Sequence, residues 1–365
     1  MDVLVAAGPG LVADRRLLEG TTAAECAALG VNGRFATAAD VPGLRALLAG
    51  AGGGRALVVL PGPDPAARRL METAEDHSRR TVWLDLARVG PLRPAGGAAH
   101  LQGRGAGGLG FAIRHAVHRL RHPARRIPYG DHPDQWGELR LPPSAGAGGR
   151  GAPVAMLVHG GYWRTIWGAD LMDALAIDLA ARGYAAWNLE YRRPDLHGWD
   201  ATTGDLAAGL RVLRKVGGPL DLGRVAVIGH SAGGQLALRL AADTRAVAVA
   251  VSLAGVLDLV EGDRRHISNG AVPSALGGSH EEIPEVYAAS SPLARLPLGV
   301  PQIVVVAESD DPDLVDFGRR YGEAAGEQAV CLEGPGDHFA VIDPAASIWK
   351  ATAEALSARL GPGEA

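Results

Sequence analysis

One ten-residue stretch constrains the fold more than any other part of the chain. Residues 225–234 have the sequence VAVIGHSAGG, an apolar strand-like run followed by Gly-x-Ser-x-Gly and a helix-like segment. In such a unit the turn is so tight that only glycine fits around the serine, whose hydroxyl is then exposed above the sheet. The pattern therefore predicts a strand, a tight turn and a helix, with Ser231 as a nucleophile. The alternative is a glycine-rich turn with a capping serine.

Strand-like and helix-like segments alternate along the chain, which favours parallel sheets covered by helices. In the first third, strands are predicted at 3–7, 55–60 and 81–86. Helices are predicted at 21–29, with Thr21 or Thr22 as the cap, and at 41–48, 65–76 and 111–120.

A second alternation begins after residues 122–126, which we interpret as a linker. We therefore predict two domains, residues 1–122 and 127–365. In the second domain, residues 142–153 form a glycine-rich loop, and residues 257–287 form an irregular, lid-like insertion.

Composition narrows the class of protein. The 365 residues are 47% hydrophobic and 21% charged, which is typical of globular domains. We find no signal peptide and no apolar run of about 18 residues. The two cysteines are far apart and match neither a disulfide framework nor a metal-binding pattern. A cytoplasmic protein without a membrane segment is the resulting expectation.

The charge of the first third is uneven. Residues 1–126 carry 17 arginines against 10 acidic residues, but the arginines are scattered without interleaved aromatics, so we expect no nucleic-acid partner.

Three further segments extend the chemistry that Ser231 suggests. His159-Gly160-Gly161 follows an apolar strand, and glycines there let backbone N–H groups approach a developing oxyanion. Together with the N–H of Ala232, the residue after the serine, Gly160 and Gly161 are the predicted oxyanion hole. Read alone, the glycine pair is also compatible with an ordinary turn.

The other two segments supply an acid and a base. Asp310 follows the apolar strand QIVVV, at a distance from the strand that suits a triad acid better than Asp311 or Asp313, although both remain alternatives. His338 follows the last predicted strand, where it can act as a general base. The order Ser, Asp, His is that of the α/β-hydrolase fold, which we therefore predict for residues 127–365.

From Tyr129 onward, the sequence resembles the kynurenine formamidase branch of the esterase and lipase-like α/β-hydrolases. The motifs behind the resemblance are HGGYWR, LEYRRP, GHSAGGQLAL, ESDDP and GDHF. The resemblance implies a Ser231–Asp310–His338 triad, an oxyanion hole at Gly160, Gly161 and Ala232, and hydrolysis of N-formylkynurenine or small esters without a metal.

Residues 1–122 resemble type II 3-dehydroquinate dehydratase, a flavodoxin-like fold, through VLVAAGPG, ALVVLPG and a closing helix. The residues that this family uses are replaced: Gly10 and Leu60 stand where it has asparagines, Asp85 stands where it has a histidine, and its lid tyrosine has no counterpart. We therefore expect a structural or binding domain without lyase activity.

The predicted function is that of a serine hydrolase acting on a small ester or amide, without cofactor or metal. Tyr162 and Trp163 are predicted to form an aromatic substrate wall beside the oxyanion loop. Two alternatives are a non-catalytic scaffold that keeps the fold and a bifunctional enzyme with an active N-terminal lyase. Relatives of both halves self-associate, so a homo-oligomer is compatible with the sequence, although no particular residue points to one.

Overall fold

The computed structural model describes residues 1–143 and 151–361 and divides the chain into two compact units. These are Met1–Pro123 and Ala124–Ala365, close to the predicted domains. Most of the predicted glycine-rich loop at 142–153 lies outside the described residues. Each unit has its own sheet and its own apolar core.

The N-terminal unit contains a five-stranded parallel sheet of order β2-β1-β3-β4-β5, which is the flavodoxin-like order. Its strands are β1 Asp2–Ala7, β2 Asn32–Thr37, β3 Arg55–Leu60, β4 Thr81–Asp85 and β5 Ala99–Gln102. Both faces of β1 and β3 are buried, so their sequences are continuous apolar runs rather than alternating patterns.

Four helices cover the two faces of this sheet. They are α1 Arg15–Ala28, α2 Val41–Ala49, α3 Pro65–Arg69 and α4 Gly108–Arg121. Residues of α1 and α4 pack into one apolar layer, and Leu44 and Leu48 of α2 pack into the other.

The N-terminus of α1 differs from the prediction. The helix begins at Arg15 because the carboxylate of Asp14 accepts hydrogen bonds from the N–H groups of Arg16 (2.9 Å) and Leu17 (3.2 Å). Thr22 lies inside the helix instead of capping it, and its buried hydroxyl donates to the Leu18 carbonyl at 2.8 Å. Asp14, seven residues before the predicted cap Thr21, therefore determines where α1 begins.

Edge strands were also missed. β2 is an edge strand with a largely exposed, polar sequence, and β5 has only four residues, so neither produces an apolar run. The predicted linker was wrong in part, because Arg125 and Arg126 belong to a strand that pairs antiparallel with residues 136–139.

The C-terminal unit contains an eight-stranded sheet of order β13-β12-β11-β10-β8-β9-β7-β6. Its strands are β6 Arg125–Pro128, β7 Trp136–Arg140, β8 Ala152–Val158, β9 Ala185–Glu190, β10 Leu220–His230, β11 Val249–Leu253, β12 Gln302–Ala307 and β13 Ala329–Gly334. The pairs β6–β7 and β7–β9 are antiparallel, and all other neighbours are parallel.

Nine helices accompany this sheet in the part of the chain that the structure describes. They are α5 Asp173–Ala181, α6 Pro194–His197, α7 Trp199–Val216, α8 Ala232–Asp243, α9 Leu259–Arg264, α10 Ile267–Leu276, α11 Pro284–Ser290, α12 Pro312–Ala325 and α13 Ser347–Leu360. The segment 257–287 is therefore not irregular as predicted. Its helices α9, α10 and α11 are held by buried apolar side chains, among them Leu259, Val272 and Tyr287. None of the helices described is both long and apolar enough to cross a membrane.

The parallel strands decide where the functional segments meet. β8, β10, β12 and β13 run in the same direction, so the segments that follow them all emerge at one edge of the sheet. These segments contain the predicted oxyanion loop, Ser231, Asp310 and His338.

Candidate active site

Ser231 lies between β10 and α8 in a strained backbone conformation. Its φ of 55° and ψ of −122° fall in a region that non-glycine residues rarely adopt. A Cβ on Gly229 would clash with the backbone of Gly233, and a Cβ on Gly233 would clash with the carbonyl oxygens that end β8. Glycine is thus required on both sides of the serine, as the tight turn predicts.

His338 and Asp310 lie beside each other. Nδ1 of His338 is 2.8 Å from Oδ2 of Asp310, whose side chain is only 3% exposed. This bond orients the ring so that Nε2 is the nitrogen left to accept a proton. Asp311 instead caps α12 by accepting from the N–H of Asp313 at 2.9 Å, and Asp313 pairs with Arg265 at 2.8 Å. Only Asp310, of the three candidate acids, is in contact with His338 in the described structure.

His230 links the serine turn to the His338 loop. Its Nε2 is 2.9 Å from the carbonyl oxygen of His338, and the two rings have centroids 4.7 Å apart. Burial, reinforced by the charge of His338, lowers the pKa of His230 well below its usual value, so this ring stays neutral and donates through Nε2. Ser231 Oγ has no hydrogen bond to His338 among the described residues, and such bonds often tighten only when a substrate is bound.

The predicted oxyanion residues adjoin Ser231. A Cβ on Gly160 would lie 2.8 Å from Cβ of Ser231, so the loop after β8 touches the nucleophile turn. Gly161 has φ of +109° and packs on Trp167, which excludes a side chain there. Ala232 is the first residue of α8, where N–H groups have no partner within the helix. The structure thus brings all three predicted positions close to the serine turn.

Tyr162 and Trp163 occupy different surroundings. Burial, with the charges of Asp311 and Asp310, raises the pKa of Tyr162 to about 12, and its side chain is partly exposed. Trp163 is 1% exposed and belongs to the apolar core, where its indole N–H donates to Oε1 of Gln235 at 3.1 Å. The aromatic substrate wall stays a prediction, and Trp163 lies in the core, where its ring packs against α8, rather than at the surface. Tyr162 remains the candidate for that role.

Comparisons with known proteins agree with this architecture. The model of the BD-FAE family matches residues 141–317, which include β8, the oxyanion loop and Ser231. A solved bacterial heroin esterase is 24% identical, with a TM-score of 0.52 over 66% of this chain and 84% of that chain. Esterase B from Lactobacillus rhamnosis is 18% identical, with a TM-score of 0.56 over 69% of this chain and 91% of that one.

The C-terminal unit has the α/β-hydrolase fold. A bifunctional GH43-CE protein from Bacteroides eggerthii shares the fold at 17% identity and a TM-score of 0.58, covering 65% of this chain, but this chain spans only 35% of that protein. No curated protein matches the chain. At these identities the solved structures establish the fold of the hydrolase unit, whereas the substrates in their names belong to those proteins.

A buried ionic cluster, which sequence reasoning missed, supports the predicted oxyanion loop of the C-terminal unit. His159 is fully buried, with Nδ1 2.9 Å from the Gly160 carbonyl and Nε2 3.1 Å from Oε1 of Glu190. Glu190 also pairs with Arg193 and accepts from the N–H of Ala169 at 3.1 Å. Burial lowers the pKa of Arg193, so its guanidinium needs the neighbouring carboxylates. The signal was present in the motif LEYRRP, which places an acid at the end of a buried strand and two arginines shortly after it.

Two further contacts fix the same loop. Tyr191 stacks on His159 with centroids 4.3 Å apart and donates its hydroxyl to the His159 carbonyl at 2.8 Å. Asp195 accepts from both the N–H and the hydroxyl of Thr165 at 3.0 Å. The segment 190–195 therefore holds both ends of the loop that follows β8.

Proposed function

We propose that this chain is a serine hydrolase that cleaves a small carboxylic ester or amide through an acyl-enzyme on Ser231. The observation that carries the proposal is the 2.8 Å contact between His338 and Asp310, at the sheet edge where the strained Ser231 turn also lies. An acid that orients a histidine at the edge that carries a nucleophile turn is the arrangement that activates serine in unrelated hydrolases.

In the proposed reaction, His338 takes the proton of Ser231 Oγ while Oγ bonds to the substrate carbonyl carbon. The resulting oxyanion accepts hydrogen bonds from backbone N–H groups at Gly160 or Gly161 and at Ala232. His338 then returns the proton to the leaving alcohol or amine as its bond to carbon breaks. Water then attacks the acyl carbon as His338 takes its proton, and His338 returns that proton to Ser231 Oγ as the bond between the acyl carbon and Oγ breaks. The acid product is released, and the cycle uses no cofactor.

The substrate class that we favour within this proposal is an N-formyl arylamine or a small aryl ester. Support comes from the resemblance to kynurenine formamidases and from Tyr162, a partly exposed aromatic residue next to the predicted oxyanion hole. An aromatic leaving group can pack against such a ring.

For the N-terminal unit we propose a structural or binding role. Asp85, which stands where dehydroquinate dehydratases have a histidine, is engaged by Arg68 at 3.0 Å and by His100 at 2.9 Å. These hydrogen bonds lower the pKa of Asp85 despite its burial, which makes the carboxylate a poor proton acceptor at neutral pH. If the full-length Ser231→Ala protein converted 3-dehydroquinate, this part of the proposal would be wrong.

The test compares wild-type protein with Ser231→Ala on p-nitrophenyl acetate and N-formylkynurenine. We expect both substrates to be turned over by the wild type alone. Turnover of the ester alone would support the hydrolase but reject the formamidase assignment.

A fluorophosphonate probe, read by intact mass, tests the nucleophile without a chosen substrate. Labelling of the wild type and not of Ser231→Ala supports an active serine. A folded wild-type protein that takes up no label would favour the non-catalytic scaffold instead.

A further inference from the structure

A group of potential metal ligands lies outside the proposed triad. His132 and Asp134 are in the connection between β6 and β7, and His197 is the last residue of α6. One ring nitrogen of each histidine and one carboxylate oxygen of Asp134 all lie within 4.8 Å of one another. All three residues are partly exposed, so an ion can reach them from solvent.

The backbone around this group is held in place by several hydrogen bonds. Nδ1 of His132 accepts from the N–H of Asp134 at 3.1 Å, and Oε1 of Gln135 accepts from the N–H of His132 at 3.0 Å. The amide of Gln135 donates in turn to buried Asp205 at 2.6 Å. The connection is therefore a preformed turn, anchored to helix α7 by Asp205.

The ring of His197 packs against the ring of His132 from the side. Their centroids are 4.6 Å apart and their planes meet at 74°. The side chain of His197 makes no hydrogen bond within residues 1–143 and 151–361. Its ring nitrogens are thus available to a ligand.

We propose that His132, Asp134 and His197 bind a divalent transition-metal ion, with zinc the best match. Two imidazoles and one carboxylate are ligands that zinc prefers, and three protein ligands leave a fourth position for water. Ligand atoms of a tetrahedral zinc ion are roughly 3.4 Å apart. Side-chain rotations that move the three ligand atoms by about 1 Å would therefore bring them to that spacing. The prediction that the Ser231–Asp310–His338 triad works without a metal is unaffected, because the proposed ion binds to other residues.

This site is connected to the oxyanion loop through buried charges. Oδ2 of Asp134 is 3.5 Å from a guanidinium nitrogen of Arg193, which pairs with Glu190, and Glu190 contacts His159 beside Gly160. A cation at Asp134 would compete with Arg193 for that carboxylate. Metal binding at this site is therefore linked to the residues that hold the oxyanion loop.

The test is titration of the tag-free, chelator-treated full-length protein with zinc chloride in a calorimeter. Cobalt is used in parallel, because its visible absorption reports on coordination by nitrogen and oxygen ligands. We expect one ion per chain in the wild type. In His132→Asn, which keeps an acceptor for the Asp134 N–H, and in His197→Gln, the Kd for zinc should rise at least about 100-fold.

His280→Gln serves as the matched control, since His280 is a partly exposed histidine of the same unit in the α10–α11 connection. It should bind zinc like the wild type. Circular dichroism in the presence of chelator checks that each variant is folded.

The proposal is overturned if the wild type binds no zinc at 100-fold molar excess, or if both folded variants bind zinc as tightly as the control. Neither result bears on esterase activity, which depends on Ser231, so the two proposals fail independently.

Discussion

Both units place ionisable residues at the carboxyl ends of parallel strands, but the side chains differ in how many hydrogen-bond partners they have. In the N-terminal unit, Asp85 at the end of β4 receives hydrogen bonds from Arg68 and His100, so both carboxylate oxygens have charged or polar side-chain partners. In the hydrolase unit, Asp310 contacts one ring nitrogen of His338 and one backbone N–H, and the second ring nitrogen has no hydrogen bond in the described structure. The first arrangement stabilises a fold, whereas the second can transfer a proton.

The pKa of Asp85 agrees with a stabilising role for this carboxylate. Burial alone would raise the pKa of Asp85, but hydrogen bonds from His100 and Arg68 outweigh it and lower that pKa below its usual value. A carboxylate whose pKa is lower in the folded than in the unfolded state stabilises the fold above its unfolded pKa. That contribution is lost as the pH falls through the folded pKa.

The largest expected effect follows from removing the nucleophile. Ser231→Ala should lower kcat for p-nitrophenyl acetate by about 10⁴-fold or more, because the variant lacks the hydroxyl on which the proposed acyl-enzyme forms. Burst-phase kinetics with the wild type should detect the acyl-enzyme. Equal turnover by both proteins would show that the reaction occurs elsewhere on the chain.

The next largest effect is expected from removal of the triad acid, and it distinguishes Asp310 from the neighbouring Asp311. Asp310→Asn should lower kcat by about 10⁴-fold, since a neutral amide neither fixes the His338 tautomer nor stabilises its charge. The control is Asp311→Asn, which should change kcat less than threefold, because asparagine caps α12 about as well as aspartate. Similar losses in the two variants would contradict the assignment of Asp310.

A smaller effect on activity is expected from the cluster behind the oxyanion loop. Glu190→Gln removes the nearer carboxylate partner of buried Arg193 and leaves only the more distant Asp134 paired with it, which should cost about 3 kcal/mol of unfolding free energy. Displacement of the loop should also lower kcat by roughly 10- to 100-fold. Urea unfolding and steady-state kinetics measure the two effects. A variant with reduced stability but full activity would mean that the cluster does not position the loop.

The smallest effect on hydrolysis is expected from a substitution of Asp85, the N-terminal carboxylate that Arg68 and His100 bind. Asp85→Asn should leave kcat/KM for esters unchanged while destabilising the N-terminal unit. Because the folded pKa of Asp85 is lowered, wild-type stability should fall as the pH drops from about 4, and the variant should show less of this decline. Thermal unfolding between pH 3 and 7 measures it. Loss of ester hydrolysis in the folded variant would instead indicate that the N-terminal unit takes part in catalysis.

Strongly local signals were predictable from the sequence. The turn at Ser231 needs glycine on both sides, and continuous apolar runs mark strands that are buried on both faces, so β1, β3, β10 and β12 were all recognisable. The chain order of serine, acid and histidine also placed the functional segments after particular strands.

Signals that depend on partners distant in sequence were not predictable. The edge strands β2 and β5 form because β1 and β4 offer free backbone groups, not because their own residues are apolar. The buried position of Trp163 depends on Gln235, which lies 72 residues away.

By itself, the sequence determined the buried strands, the tight turn at Ser231 and the order in which the reactive residues follow the strands, because propensity and turn chemistry act over a few residues. Tertiary structure alone decided which acid reaches His338, where Trp163 lies, and that His132, Asp134 and His197 converge. Those outcomes depend on distances between segments tens of residues apart, and only the pairing of strands and the packing of side chains fixes such distances.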